Sequence, residues 1–304
     1  MFGLQRWQVE STVKLIDDGN TIPFIARYRK EAHGTLDDQV LRELSEKLEY
    51  LRNLDKRREE ISASITAQEK MTPEIEAALE KASTLAEIED IYRPFRPKRR
   101  TRASIAKEKG LEPLANAIFA QVADSASPAE LAADYIDVEK GVETVEDAIN
   151  GAMDIIAENI SDDADIRRRL RSLFTVAGVL QSRAADSEKE SVYTMYYEYD
   201  EPVNKIAGHR VLAVNRGENE GFLKVGIDVD RIKALNIINA NVLSDNGSAC
   251  TDIVRDAAAD AYDRLIFPSV EREIRNMITD SAVESALKVF YVNLRELLLQ
   301  PPVK

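Results

Sequence analysis

The chain has 304 residues, of which 44% are hydrophobic and 31% are charged, and its formal net charge is −13 at pH 7. This acidity argues against a general nucleic-acid coat or a binder of anionic membranes, because either partner would be repelled over most of the surface. The single cysteine excludes an intrachain disulfide, and the lack of an apolar run of about 20 residues excludes a membrane span.

The rest of the composition fits a helical protein of the cytoplasm. Glycine, proline and aromatic residues are sparse, which is typical of helical proteins. His33 and His209 are the only histidines and lie far apart in the sequence, so we expect no structural zinc site. The first residues contain no signal-peptide core, and a single cysteine suits a reducing compartment, so we expect cytoplasmic localisation.

The first 90 residues predict a series of helices. Gln5–Asp18 forms the first, and Thr21 caps a short second one in which aromatic residues are interleaved with lysine and arginine. Asp37 to Gln68 is the clearest long helix, because leucine and isoleucine recur there at three- and four-residue spacing. At a rise of ~1.5 Å per residue it would be roughly 45 Å long. Further short helices begin after Thr72 and Thr84.

A basic segment follows these helices. From Arg93 to Lys109 the sequence contains eight lysine or arginine residues and one acidic residue, Glu108. Pro94 and Pro97 fix φ and lack a backbone donor, so we expect an extended conformation. The cations at the start of this segment are called the basic ribbon here; they are Arg93, Arg96, Lys98, Arg99, Arg100 and Arg102.

The basic ribbon admits two interpretations. A local excess of positive charge suits a polyanion, and an extended arm with Tyr92 and Phe95 interleaved suits a phosphate backbone and a stacked base. Alternatively, the two aromatic residues anchor a crossover on the core while the cations pair with neighbouring carboxylates. Exposure discriminates between them, because cations that meet phosphate must be open to solvent.

Ser104–Ala115 has the pattern of a helix, a glycine turn and a second helix. Gly110 supplies the positive φ that the turn needs, and Pro113 opens the second helix. The spacing resembles a helix-turn-helix, yet the second helix, Pro113–Asp124, contains no lysine or arginine. It is therefore a poor reader of the major groove, and we interpret the pair as a structural hairpin.

Helical patterns continue through most of the second half. Asp165–Gln181 is predicted to be a helix whose second basic cluster, Arg167–Arg171, lies on a solvated face. Alternating residues in Leu223–Val229 predict a half-buried strand. Residues 211–214 are its hairpin partner or a short helix, and the pattern does not decide. Val270–Leu299 is predicted to be a second long helix.

The fold class that follows is predominantly α. We expect a multi-helical, elongated scaffold with two long strut helices, a helix-turn-helix-like hairpin and a minor β element near residues 222–230. Three segments are predicted. Residues 1–72 hold the N-terminal helices and the first strut, residues 73–185 form a helical domain with the basic ribbon and the hairpin, and residues 186–304 form a central helical region ending in the second strut.

The sequence contains no recognisable reactive constellation. Neither common glycine-rich phosphate cradle nor a GxSxG nucleophile elbow occurs. Acidic residues lie beside lysine and arginine on helix faces, as surface pairs do. We therefore expect no catalytic residue, no metal, no cofactor and no enzymatic activity.

Four passages together resemble a known family. Residues 20–31 read NTIPFIARYRKE, residues 92–101 read YRPFRPKRRT, residues 110–115 read GLEPLA, and residues 209–218 read HRVLAVNRGE. In this order and spacing they resemble the N-terminal part of the Tex family of bacterial transcription accessory proteins. The resemblance covers essentially the whole chain.

The resemblance implies that further domains follow. Members of the family continue into an RNase H-like domain, helix-hairpin-helix modules and a C-terminal OB-fold RNA-binding domain to which nucleic-acid binding is largely credited. We therefore expect this chain to be an N-terminal fragment, a helical scaffold with at most weak, non-specific nucleic-acid binding through the basic ribbon. Its expected partners are nucleic acid, the missing C-terminal domains and the transcription machinery, and no membrane.

Two other classes of function stay open at this point. The chain is alternatively a protein–protein interaction module that docks on the transcription or translation machinery without touching nucleic acid. The third class, an unrecognised enzyme, has no motif to support it.

Overall fold

The computed structural model describes residues 3–97, 100–123 and 126–300. Its contacts divide the chain into two compact units, Met1–Phe95 and Arg96–Lys304. The division into three segments stays a prediction. Among the described residues, helices dominate and three short strands form one sheet, so the predominantly α class is confirmed.

The first unit consists of five helices and a terminal 3-10 turn. In chain order they are α1 Arg6–Asp17, α2 Ile22–Tyr28, α3 Asp38–Ala67, α4 Pro73–Lys81, α5 Leu85–Tyr92 and the turn Arg93–Phe95. The long α3 confirms the first predicted strut and begins after Asp37 as predicted. Its apolar face packs against α4 and α5 in a core formed by Leu54, Ile61, Ile65, Leu79, Ala82 and Ile88.

The second unit begins with small helices around a central one. Its helices are α6 Arg102–Glu108, α7 Glu112–Phe119, α8 Pro128–Ala133, α9 Val145–Asp162, α10 Ala164–Ala177, α11 Gly208–Asn219, α12 Arg231–Val242, α13 Thr251–Asp260 and α14 Phe267–Leu298, with a π-helical turn at Ala261–Ile266. Helix α9 is the centre of the core because Ala148, Ala152, Ile155, Ile156, Ala157 and Ile160 are all buried. The second predicted strut is confirmed by α14.

One antiparallel sheet lies in the second unit. It contains β1 Val179–Ala184, β2 Glu198–Pro202 and β3 Leu223–Asp228, in the order β2-β1-β3. The predicted strand is confirmed as β3, but its partner is β1, with Leu180 opposite Ile227. Residues 211–214 belong to α11.

Two boundaries differ from the sequence-based expectation. The helix predicted to reach Gln181 ends at Ala177, because Leu180 and Ser182 are buried where β1 pairs with strands on both sides. The segment predicted to be extended begins with the 3-10 turn Arg93–Phe95. The φ that Pro94 fixes is also compatible with a helical turn.

The described residues contain no helix that is both long and apolar enough to cross a bilayer.

Candidate nucleic-acid interface

The described cations of the basic ribbon differ in their surroundings. Arg93 lies in the 3-10 turn and is half-buried, whereas Arg96 and Arg100 are exposed in the connection to α6. Arg102 is the first residue of α6 and is also exposed. The two remaining cations of the prediction, Lys98 and Arg99, lie outside the described residues.

Arg100 remains open to solvent although it pairs with a carboxylate. Arg100 Nη2 lies 3.7 Å from Glu108 Oε2, and the two side chains remain 73% and 64% exposed. Such a surface contact contributes little to stability. Burial raises the pKa of the half-buried Asp154, and the charges of Arg264 and Arg102 oppose that shift. Arg102 therefore contributes to the field around Asp154 while its own side chain stays exposed.

The aromatic residues beside the ribbon pack on the first unit. Tyr92 and Phe95 are partly buried against its core. The Tyr92 hydroxyl lies 3.0 Å from Ser64 Oγ, and the Gln68 amide donates to the Phe95 carbonyl at 3.0 Å. These contacts agree with the second interpretation of the ribbon, in which Tyr92 and Phe95 anchor the chain on the core. The exposed groups of the described ribbon are therefore its charged side chains and not its aromatic rings.

The predicted helical hairpin is present as α6, a glycine turn and α7. Gly110 has a φ of +85°, and Thr101 caps α6 by accepting from the Ser104 backbone N–H at 3.0 Å. The apolar face of α7 packs against α9, with Leu114, Ala115 and Ile118 buried. This arrangement agrees with the interpretation of a structural hairpin.

Gly151 on α9 allows the hairpin to approach closely. A Cβ atom at this position would lie 2.3 Å from Leu111 Cδ1. Leu111, the residue that joins the turn to α7, is buried in the core. A glycine in the middle of α9 therefore makes room for the leucine of the turn.

The second basic cluster has a structural role. Arg168 and Arg169 both pair with Asp165, and Arg171 pairs with Glu273 on α14. Hydrogen bonding by Arg168 lowers the pKa of the Asp165 carboxyl.

The expectation of a solvated face is wrong for one member of that cluster. Arg167 is only 2% exposed and contacts Glu273 at 3.5 Å and Ser269 Oγ at 3.1 Å. It therefore packs α10 against α14. Arginine-rich composition alone does not distinguish this cluster from the basic ribbon.

A polar groove of about 600 Å³ lies between α11 and α14. Arg275 at its wall binds Glu218 and Asn215, and Asn215 donates to Thr279 Oγ1 at 2.8 Å. Arg210, in the first turn of α11, pairs with Glu201 at 3.1 Å. The side chains of Arg275, Glu218, Asn215 and Thr279 are therefore used within the fold.

Nowhere in the described ranges do three or more His, Cys, Asp or Glu side chains come together in a way that could hold a metal ion.

Comparison with known proteins identifies two matching family descriptions. Residues 123–290 match the description "Tex central region-like", and residues 1–66 match "Tex-like protein N-terminal domain". Together they cover parts of both units. The first match alone extends over more than half of the chain.

Several curated relatives align along nearly the whole chain. "Uncharacterized protein YdcI" of Bacillus subtilis is 45% identical over 99% of this chain and 42% of its own length. "Protein tex" of Bordetella pertussis is 37% identical over 99% of this chain and 40% of its own length. Human "S1 RNA-binding domain-containing protein 1" is 31% identical over 99% of this chain and 31% of its own length. The chain thus spans well under half of the length of these relatives.

Proposed function

The chain belongs to the Tex family, and from that premise we propose that it is the N-terminal helical scaffold of a transcription accessory factor with weak, sequence-independent affinity for nucleic acid. The proposed affinity for nucleic acid rests on a single observation, the solvent exposure of Arg96, Arg100 and Arg102. Relatives named as transcriptional accessory protein Tex and as an S1 RNA-binding domain-containing protein support a role close to nucleic acid.

Electrostatics sets the expected strength of this binding. Three or four engaged cations give a log–log salt slope of roughly 2 to 4, since each phosphate neutralised adds about 0.9 on duplex and about 0.7 on single strands. The affinity should lie in the non-specific range of about 10⁻⁴–10⁻⁶ M at physiological salt. The net charge of −13 opposes approach, but screening limits its reach to about 8 Å, so the ribbon acts at contact.

Fluorescence anisotropy of a labelled duplex at several salt concentrations tests the proposal. Replacing Lys98, Arg99, Arg100 and Arg102 together by alanine should flatten the salt slope and leave the helical circular dichroism unchanged. The charge-matched control replaces four exposed arginines of the second unit that each pair with a carboxylate; they are Arg169, Arg216, Arg231 and Arg255. A ribbon variant that keeps the parental slope, or that unfolds, contradicts the proposal.

A protein-docking function is the second candidate, and one observation favours it. In the last part of α14, Val283, Leu287, Val289, Phe290 and Leu294 are 40–63% exposed. Exposed apolar patches of this kind mark interaction sites in folded proteins. Binding to purified bacterial RNA polymerase that is lost in a Leu287→Glu, Phe290→Glu double variant and retained in the ribbon variant would replace the nucleic-acid proposal with this one.

The proposal assigns no chemical step to this chain. Its support is the absence of a recognisable catalytic motif in the sequence. Incubation with labelled RNA and with ATP in the presence of Mg²⁺ should give no cleavage or hydrolysis above the buffer control. A nuclease or nucleotidase activity that follows the protein through purification and is abolished by one point substitution would contradict it.

A further inference from the structure

A second cationic surface lies on α2, in the first unit, far along the chain from the basic ribbon. Phe24 and Tyr28 are one helical turn apart, and their side chains are 37% and 68% exposed. The two ring centroids are 5.2 Å apart. The opposite side of the helix is fixed, because Ile25 is fully buried and α2 packs on α3.

Three exposed cations lie on α2 or directly after it. The Arg29 guanidinium lies 5.6 Å from the centroid of the Phe24 ring. Arg27 and Lys30 line a groove of about 500 Å³ that also contains Asp37 and Asp38. Within the described part of the chain, no carboxylate pairs with any of the three. By contrast, Arg42 on the same groove is held by Asp38 at 2.9 Å. We call Phe24, Arg27, Tyr28, Arg29 and Lys30 the α2 surface.

The backbone that carries the α2 surface is held in place by a buried histidine. The ring of His33 is fully buried, and its Nδ1 accepts from the Leu36 backbone N–H at 3.1 Å. Its Nε2 therefore carries the proton and donates to the Ile25 carbonyl at 3.2 Å. This bridge joins α2 to the segment that leads into α3, so the exposed rings are presented by a fixed scaffold.

We propose that the α2 surface binds single-stranded nucleic acid, with an unpaired base stacked on Tyr28 and Phe24 and the flanking phosphates held by Arg27, Arg29 and Lys30. Exposed aromatic rings with arginine beside them form the stacking platforms of single-strand binders, because every base has a π-face. In a duplex those faces are covered by neighbouring base pairs. The α2 surface should therefore prefer single-stranded over double-stranded nucleic acid, whereas the basic ribbon should show no such preference. The inference does not rest on the ribbon, whose own aromatic residues are packed on the core.

Charge complementarity favours this occupant over an apolar protein helix. The α2 sequence and its flank, residues 22–30, contain three cations and no acidic residue, in a chain whose net charge is −13. An apolar partner would have to desolvate these cations without compensation. Phosphates satisfy them while the bases cover the rings.

The test uses the chain with three labelled probes of equal length: oligo(dT), the abasic deoxyribose-phosphate oligomer, and the dT–dA duplex. Tyr28→Leu removes the π-face and keeps an apolar side chain, whereas Tyr28→Phe is the matched control that keeps the ring. We expect Tyr28→Leu to weaken oligo(dT) binding about tenfold, within the range of one lost base stack. Binding of the abasic oligomer and the salt slope should not change.

Trp7 provides a local readout. It is the only tryptophan of the chain, and its ring lies against Gly34 in the segment that follows α2, where a Cβ atom would be 2.7 Å from Trp7 Cη2. Oligo(dT) should change its fluorescence, and this change should persist when the ribbon cations are replaced by alanine. The experiment can therefore show that the ribbon proposal fails while the α2 proposal holds, or the reverse.

Several outcomes would overturn the proposal. They are parental affinity of Tyr28→Leu for oligo(dT), equal losses on oligo(dT) and on the abasic oligomer, and a parental chain that binds no single strand. A further variant, Arg27→Ala with Lys30→Ala, should lower the single-strand salt slope by about 1.4, since two phosphates lose their partners. An unchanged slope in that variant would also count against the proposal. Circular dichroism confirms that each exposed substitution leaves the fold intact.

Discussion

Arg275 joins three elements of the second unit through one guanidinium group. From α14 it contacts both oxygens of Glu218 on α11, at 3.0 and 2.5 Å. It also donates to Asn215 Oδ1 at 3.0 Å and to the Val225 carbonyl of β3 at 3.2 Å. A bidentate arginine–carboxylate pair is among the stronger polar contacts in proteins. We expect Arg275→Met, which keeps an apolar stem, to destabilise the second unit.

Partial burial sets the size of the effect. The Arg275 and Glu218 side chains keep 19% and 33% of their exposure. Breaking a fully buried pair costs about 3–5 kcal/mol, and an exposed pair contributes about 0–1 kcal/mol. The intermediate exposure therefore predicts a loss of about 2–3 kcal/mol in the free energy of unfolding. In a double-mutant cycle with Glu218→Gln, the two losses should be non-additive by about 1–2 kcal/mol.

Urea denaturation followed by circular dichroism measures this loss. With a slope of roughly 2–3 kcal/mol per molar urea, the midpoint should fall by about 1 M. Arg216→Met is the matched control, because Arg216 pairs at 2.9 Å with Glu220, four residues further along the chain, and these side chains are 75% and 42% exposed. Its expected loss is much smaller, because the pair is open to solvent. Equal losses in the two variants, or additive losses in the cycle, would refute the argument from burial.

Two further predictions concern the turn of the hairpin and the pH dependence of stability. Gly110 has a φ of +85° and free space around it, so Gly110→Ala should lose about 1 kcal/mol in urea denaturation through backbone strain alone. Burial raises the pKa of Tyr199 and of Tyr262 from 10.0 to about 12. The unfolded chain releases these protons first, so stability should fall as pH rises from about 10 to 12. Tyr262→Phe should remove the part of this loss of stability that Tyr262 contributes, which thermal denaturation at several pH values measures. An unchanged dependence of stability on pH would contradict the assignment.

Local signals were sufficient for the helices α3, α4 and α5 of the first unit. The bounds of α3 follow from a repeat of apolar residues between Asp37 and Gln68, and the starts of α4 and α5 follow from Thr72 and Thr84, whose side chains cap the first turns. Caps and apolar periodicity involve neighbours within four residues, so a single sequence contains the whole of this information.

The sheet depended on contacts between distant residues. The predicted helix Asp165–Gln181 includes the first three residues of β1, and β2, with the sequence EYDEP, has no apolar alternation to reveal it. The paired residues are 15 to 49 positions apart in the sequence, as where Ser182 lies opposite Tyr199 and Val225. A strand is stabilised by the neighbours it pairs with, and its own residues need not show the pattern.

The sequence by itself determined the helical class, the absence of a familiar catalytic motif and the positions of the cations. Only the tertiary structure decided which cations are available. Arg171 is paired with Glu273, which is 102 residues away, whereas Arg96 and Arg102 stay exposed, and so do the three cations of the α2 surface. The physical reason is that a charge is neutralised by whichever carboxylate the fold brings within a few ångströms, and that distance is a property of the folded chain.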